Sequence, residues 1–268
     1  MSVKVQDVIE ILLAPLAQVE RLEQTVDTLK CGDPAMEVTG IVTTFMPTQR
    51  VLEEAASVGA NLVIAHEGLY YHHEDATEQK LKHDPVYEIK QQFLHRSGVA
   101  VFRFHDYLHR YRPDGIMEGL IDALGWRSFV VKQQYAWTIV EMPATAVQDI
   151  AAHVKASIGA PFVRIAGNAS ARCKRIGLLA GYRGGGELAI PLFEQEKVDL
   201  VVYGEGPEWE TPEYVRDAAH QGRERAAIVL GHAESEMAGM KWLAERIEQK
   251  FPSIPVRFIP NEPVFRIL

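Results

Sequence analysis

Residues 38–66 read VTGIVTTFMPTQRVLEEAASVGANLVIAH. The β-branched run Val38–Thr44 predicts a strand. Thr48 can cap a helix running to about Val58, ended by Gly59. Leu62-Val63-Ile64-Ala65 predicts a short buried strand. Strand, capped helix and strand in succession is the signature of α/β layers.

The pattern extends in both directions. Val5, Val8, Ile9, Leu12 and Leu13 form a helical apolar stripe over residues 3–13. Asp84-Pro85 is a helix start with proline in the first turn, and that helix runs to Arg96 before Gly98. Val99–Phe104 predicts the next strand, and a helix from about Asp114 to Leu124 closes at Gly125. The pattern then restarts. Strands are expected over Tyr135–Val140, Phe162–Ala166, Ile176–Ala180, Leu200–Tyr203, Ala226–Leu230 and Val256–Ile259. Helices are expected over Thr145–Ile158, Glu187–Lys197, Pro212–Gln221 and Ser235–Phe251. This predicts two α/β domains with a break near Gly125–Arg127. Residues 1–125 with 231–268 would form one, carrying a metal site, and residues 126–230 the other, carrying a glycine-rich loop.

Composition excludes several function classes. The chain has 268 residues, 47% of them apolar and 24% charged, enough for a core without disulfides. The net charge of −8 disfavours nucleic acid, whose backbone calls for clustered Lys and Arg. The one dense basic stretch, Arg172-Cys173-Lys174-Arg175, is too short to change that. No apolar run approaches the roughly 20 residues of a membrane span. Asp7 and Glu10 interrupt the N-terminal apolar stretch, so it does not read as a secretory signal. Cys31 and Cys173 form no C-x-x-C pair, which points to a reducing compartment, and a cytoplasmic location is expected.

Seven of the ten histidines fall within residues 66–109. Position matters more than density. Three clusters follow buried strands directly: His66-Glu67, His105-Asp106-x-x-His109, and His232-Ala233-Glu234-Ser235-Glu236. Ligands of open α/β sheets bind beyond the carboxyl ends of strands. If these three strands are neighbours, the clusters converge at one edge. Imidazole with carboxylate suits divalent Zn, Mn, Fe or Ni. His232 and Glu236, four apart at a helix start, share one face and can share an ion. The plainer alternative is that Ser235 caps the helix and Glu236 favours its dipole. His105 and His109 are no metalloprotease motif, because Pro113 and an upstream strand leave no sustained helix. His72, His73 and His83 read as surface loop residues.

At these residues the chain resembles the Nif-three-like family, which includes proteins called GTP cyclohydrolase I type 2 homologues. The resemblance runs through Gly40–Thr44, Val51–Gly59, Gly59–His66, Val201–Glu205, Gly231-His232-x-x-x-Glu236 and Val256–Asn261. It implies two α/β domains with mixed sheets, a centre of two divalent ions, and a ring-shaped hexamer. Carried over residue by residue, it implies His66, Glu67, Asp106, His232 and Glu236 as metal ligands. Two positions depart from the family pattern. His66-Glu67 stands where the family often has His-His, so Glu67 is either ligand or base. His105 and His109 stand where H-x-x-x-D is usual, so either Asp106 or His109 completes the site. His105, His109 and Glu205 otherwise lie behind the ligands or face substrate.

Gly181-Tyr182-Arg183-Gly184-Gly185-Gly186 could cradle an anion or could simply pack closely; it matches no nucleotide fingerprint. Trp209 and Tyr214 could stack a planar substrate or serve as packing groups. The expected function is metal-dependent hydrolysis of a small, possibly nucleotide-like molecule. The alternative is a non-catalytic metal-binding protein or ring-forming scaffold.

Overall fold

A computed structural model describes the whole chain except residues 1, 17–18, 20 and 75–77. The elements in the first part of the chain are α1 (Val5–Leu13), β1 (Leu29–Cys31), β2 (Ile41–Thr44), α2 (Gln49–Ser57), β3 (Leu62–Ala65), α3 (Glu78–Leu81), α4 (Pro85–Ser97), β4 (Ala100–Arg103), α5 (Asp106–His109) and α6 (Gly115–Leu124). There follow β5 (Val130–Gln133), β6 (Thr138–Ala146), α7 (Val147–Ile158), β7 (Arg164–Gly167), β8 (Arg172–Leu179), α8 (Ile190–Gln195) and β9 (Leu200–Tyr203). The last are α9 (Thr211–His220), β10 (Ala226–Val229), α10 (His232–Lys250) and β11 (Val256–Phe258).

The chain divides into two compact units, residues 1–115 with 240–261, and residues 116–239 with 262–268. The expected division at 125/126 and 230/231 differs from these bounds, most of all by the segments 116–125 and 231–239.

The first unit holds a five-stranded sheet in the order β1-β4-β3-β2-β11. All its pairs are parallel except β1 with β4. Every residue of β2, β3 and β4 is buried. Burial on both faces is why these strands read as apolar or β-branched runs with no alternation. Val51, Leu52 and Ala55 of α2 pack on Val42 and Val63. Thr48 caps α2 by accepting the Val51 N–H at 3.3 Å, and Asp84 caps α4 by accepting from Val86 and Tyr87.

The second unit holds a six-stranded sheet in the order β5-β6-β8-β9-β10-β7, parallel through β8, β9 and β10 and antiparallel elsewhere. Three expectations change here. The strand expected over Tyr135–Val140 is the longer β6, paired with an unexpected β5, whose half-exposed residues carry no strong apolar pattern. The helix expected over Glu187–Lys197 shrinks to α8, because Leu188 and Ala189 are taken into a turn on the Gly185 carbonyl. The last long helix begins at His232, ahead of Ser235. The condition that the three cluster-bearing strands be neighbours is met only in part. β3 and β4 are neighbours in one sheet, whereas β10 belongs to the other.

Candidate metal centre

In the first unit, parallel pairing of β3 with β4 sets Ala65 opposite Arg103. The residues that follow each strand therefore leave the sheet at the same edge. His66 is fully buried there. Its ring lies 4.4 Å from that of His105, stacked, and 5.0 Å from that of His109, edge-on. One ligand atom from each of these three histidines falls within 4.8 Å of the others, an arrangement that could hold a metal ion.

Each Nδ1 has a definite partner. His66 Nδ1 meets the Phe104 carbonyl at 3.2 Å, His105 Nδ1 meets Asp106 Oδ1 at 2.9 Å, and His109 Nδ1 meets Asp114 Oδ2 at 2.9 Å. Carbonyls and carboxylates only accept, so each Nδ1 carries a proton, and the neutral tautomer this favours has its lone pair on Nε2. Metal-binding imidazoles are oriented in this way, with the outer nitrogen donating to a carbonyl or carboxylate. The donor chemistry therefore fits a borderline divalent ion.

The carboxylates expected beside these histidines have distinct surroundings. Asp106 groups with His73 and His105, again within 4.8 Å. Burial alone would raise its carboxyl. Hydrogen bonds from His105, the Val26 N–H and the Thr25 hydroxyl outweigh that and hold it well below the usual carboxylate range. Glu67 Oε2 pairs with Arg103 Nη2 at 2.9 Å, and Glu67 Oε1 lies 3.8 Å from His105 Nε2. Arg103 is wholly buried and also donates to the His66 and His73 carbonyls. His73 is exposed, as its loop position suggested, yet its ring stands edge-on to His105 at 4.9 Å. Burial, His105 and Arg103 lower its pKa. His72, His83 and His95 are exposed.

In the second unit, His232 opens α10 directly after β10. Its Nδ1 meets Glu205 Oε2 at 3.0 Å, and its Nε2 lies 3.3 Å from Glu236 Oε2. The hydrogen bond from His232 holds the Glu205 carboxyl below its ordinary value, against partial burial. Ser235 does not cap the helix. Its hydroxyl accepts the Gly181 N–H at 2.9 Å and donates to the His232 carbonyl at 2.8 Å. Two glycines make room for this group. A Cβ on Gly181, whose φ is +67°, would lie 2.2 Å from Glu236 Oε1, and one on Gly204 would lie 2.3 Å from Ser235 Oγ.

The rest of the glycine-rich loop packs within its own unit. The Gly186 N–H donates to Glu210 Oε2 at 2.5 Å, and the Gly184 carbonyl accepts from Thr211 Oγ1 at 2.7 Å. The chain's own carboxylate thus takes a backbone donor that an anion would use. Tyr214 stacks on Phe193 against the core, while Trp209 is exposed.

Sequence reading missed Arg103, Asp114 and the pair Thr25 and Asp27. Asp114 lies five residues after His109, across Pro113, with no periodicity to mark the contact. Arg103 falls inside the expected strand Val99–Phe104, where no local pattern marks its partners.

A family model described as Duf34/NIF3 (NGG1p interacting factor 3) matches residues 3–263. A Clostridium perfringens protein named GTP cyclohydrolase 1 type 2 homolog is 22% identical, covering 97% of this chain and 96% of its own. One of the same name from Clostridium acetobutylicum is 24% identical over 86% of this chain and 88% of its own. Among solved structures, a hypothetical protein of Staphylococcus aureus superposes with a TM-score of 0.76 at 18% identity, covering all of both chains. A Bacillus cereus protein related to NIF3 gives 0.77 at 13% identity, over 100% of this chain and 99% of that one. These structures share the fold.

Proposed function

This chain belongs to the Duf34/NIF3 family, and on that premise we propose that it binds two divalent metal ions and hydrolyses a small, nucleotide-like molecule. One observation carries the reading: His66, His105 and His109 offer ligand atoms within 4.8 Å of one another, and each Nδ1 is tied to an acceptor. The names of the curated relatives support a nucleotide-like substrate.

In this reading His66 and His109 are imidazole donors together with His105, and His232 with Glu236 supplies further donors. Asp106 stays among the candidate ligands, grouped with His73 and His105, and its Oδ1 also orients His105 through Nδ1. Glu205 orients His232 through Nδ1 in the same way. Glu67, turned toward Arg103 through Oε2, keeps Oε1 facing His105 Nε2 and is the carboxylate placed to accept a proton. Divalent ions held by these donors would supply Lewis acidity toward water and toward a carbonyl or phosphoryl oxygen. The identity of the ions falls among Zn, Mn, Fe and Ni. No helix among the described residues is long and apolar enough to cross a membrane. We place the protein in the cytoplasm as a hexamer, acting on a small molecule rather than on nucleic acid.

Metal analysis of protein purified without chelators tests the assignment. Wild type should retain divalent metal, and the combined His232→Ala and Glu236→Ala variant should lose at least part of it. Full retention in that variant overturns the assignment of His232 and Glu236. Turnover of the metal-loaded protein on nucleotides, phosphoesters and amides tests hydrolysis. Reversible metal exchange with no turnover on any class would favour the binding or scaffold role. Light scattering that gives 30.0 kDa at micromolar concentration overturns the hexamer.

A further inference from the structure

The five-stranded sheet has one antiparallel edge, β1, paired with β4 so that Leu29 faces Phe102. Antiparallel pairing places the residues before β1 beside the residues after β4. The Arg103 N–H donates to the Thr28 carbonyl at 3.0 Å and continues the ladder past the strand ends. Residues 25–27 consequently lie against His105, Asp106 and Tyr107, about 80 positions away in sequence.

The contacts there are dense and directional. Asp27 Oδ1 accepts the backbone N–H groups of His105 at 2.7 Å and Asp106 at 2.9 Å, and Asp27 Oδ2 accepts that of Tyr107 at 2.8 Å. The Thr25 hydroxyl donates to Asp106 Oδ2 at 2.9 Å, and the Val26 N–H donates to the same oxygen at 3.1 Å. The Thr25 hydroxyl also accepts the backbone N–H of Asp27 at 3.1 Å, which ties the Thr25 side chain to the backbone that carries Asp27. Asp106 is thus gripped through one oxygen and turns the other, Oδ1, to His105 Nδ1. Three of these bonds satisfy N–H groups at the start of α5, as any helix start requires; the pair on Asp106 Oδ2 is an additional grip on the side chain. What it determines is the orientation of the Asp106 carboxylate, and through it the direction of the His105 ring.

We propose that Thr25 and Asp27 are positioning residues for metal binding, holding Asp106 so that His105 presents Nε2 as a donor. This rests on the metal-binding reading above. It assigns a role to the edge strand β1, whose pairing delivers these two side chains to the site.

Titration with Co2+ tests it, using chelator competition for affinity and visible absorption for coordination. Loss of a group that orients a metal-binding histidine weakens affinity by about 10–100-fold. Thr25→Val should weaken Co2+ binding by about tenfold and alter the Co2+ spectrum at saturation. Thr25→Ser, which keeps the hydroxyl, should restore both. Asp27→Ala should weaken binding more. In a His105→Ala background, Thr25→Val should have no further effect on affinity, because the two act as one unit.

The proposal is overturned if Thr25→Val binds Co2+ with the wild-type affinity and spectrum. It is likewise overturned if Thr25→Ser fails to restore them, or if the effect of Thr25→Val persists unchanged without His105. A melting temperature lowered with the saturated spectrum unchanged would mark a merely structural role, and also overturns it. Should Asp27→Ala fail to fold, the Thr25 variants decide. Wild-type protein that takes up no Co2+ or Zn2+ overturns the metal reading itself, and this inference falls with it.

Discussion

The strand ends of the two sheets hold their histidines by different means. In the five-stranded sheet the means are polar: His66, His105 and His109 are each tied through Nδ1 to a carbonyl or carboxylate, and buried Arg103 binds Glu67 and the His66 and His73 carbonyls. In the six-stranded sheet close approach does much of the work. Glu205 orients His232, but the backbone at Gly181 and Gly204 comes so near Glu236 and Ser235 that no side chain fits. Polar clamps tolerate changes of shape and fail on loss of a charge or hydroxyl. Close-packed glycines do the opposite, tolerating changes of charge nearby and failing on an added methyl.

Four substitutions break or sharpen this contrast. Arg103→Met removes the cation from a pair whose guanidinium is wholly buried and whose carboxylate is 17% exposed. Removing one partner of a buried pair is strongly destabilising, and the partial exposure of Glu67 places the cost near the lower end, about 3 kcal/mol in denaturant unfolding. An unchanged midpoint would show that the polar clamp of the first unit is dispensable. Gly204→Ala puts a Cβ 2.3 Å from Ser235 Oγ and 2.7 Å from the Gly181 carbonyl. Backbone there must shift, at about 2 kcal/mol by the same measurement. Wild-type stability would remove the packing half of the contrast.

Asp114→Asn keeps the shape at His109 but removes the charge that favours the Nδ1–H tautomer. Metal affinity should fall about tenfold, or about 1.4 kcal/mol, while the fold seen by circular dichroism stays the same. Unaltered affinity would separate His109 from metal binding. The smallest effect belongs to a position outside both groups. Thr48→Ala removes the cap of α2 and should cost about 1 kcal/mol with metal content unaltered. A metal loss on this change would mean that stability in general, rather than the clamps, controls loading.

Among the inner strands the legibility of the fold follows burial, while the edge strands β7 and β11 are legible although largely or partly exposed. β2, β3, β4, β9 and β10 are buried at every position, so each is visible as a mostly apolar or β-branched run. The edge strands β1 and β5 are half exposed, and nothing in their composition marks them. β1 nevertheless matters to the site, since its pairing brings Thr25 and Asp27 to His105 and Asp106. Nor could reading strand by strand reveal that β10 lies in a different sheet from β3 and β4, because strand order is decided by which long-range pairs form.

Local chemistry along the chain determined the α/β class, the caps at Thr48 and Asp84, and the nomination of His66, His232 and Glu236 by their positions just after buried strands. These follow from interactions between near neighbours, where periodicity and turn residues carry the information. Only the tertiary structure decided which carboxylate serves which imidazole. Asp106 meets His105 through Nδ1 while its other oxygen is held by Thr25 and Val26, and Asp114 meets His109. Bonds of 2.9 Å depend on ring direction and strand register, and register across an antiparallel edge joins residues 80 positions apart that share no local pattern.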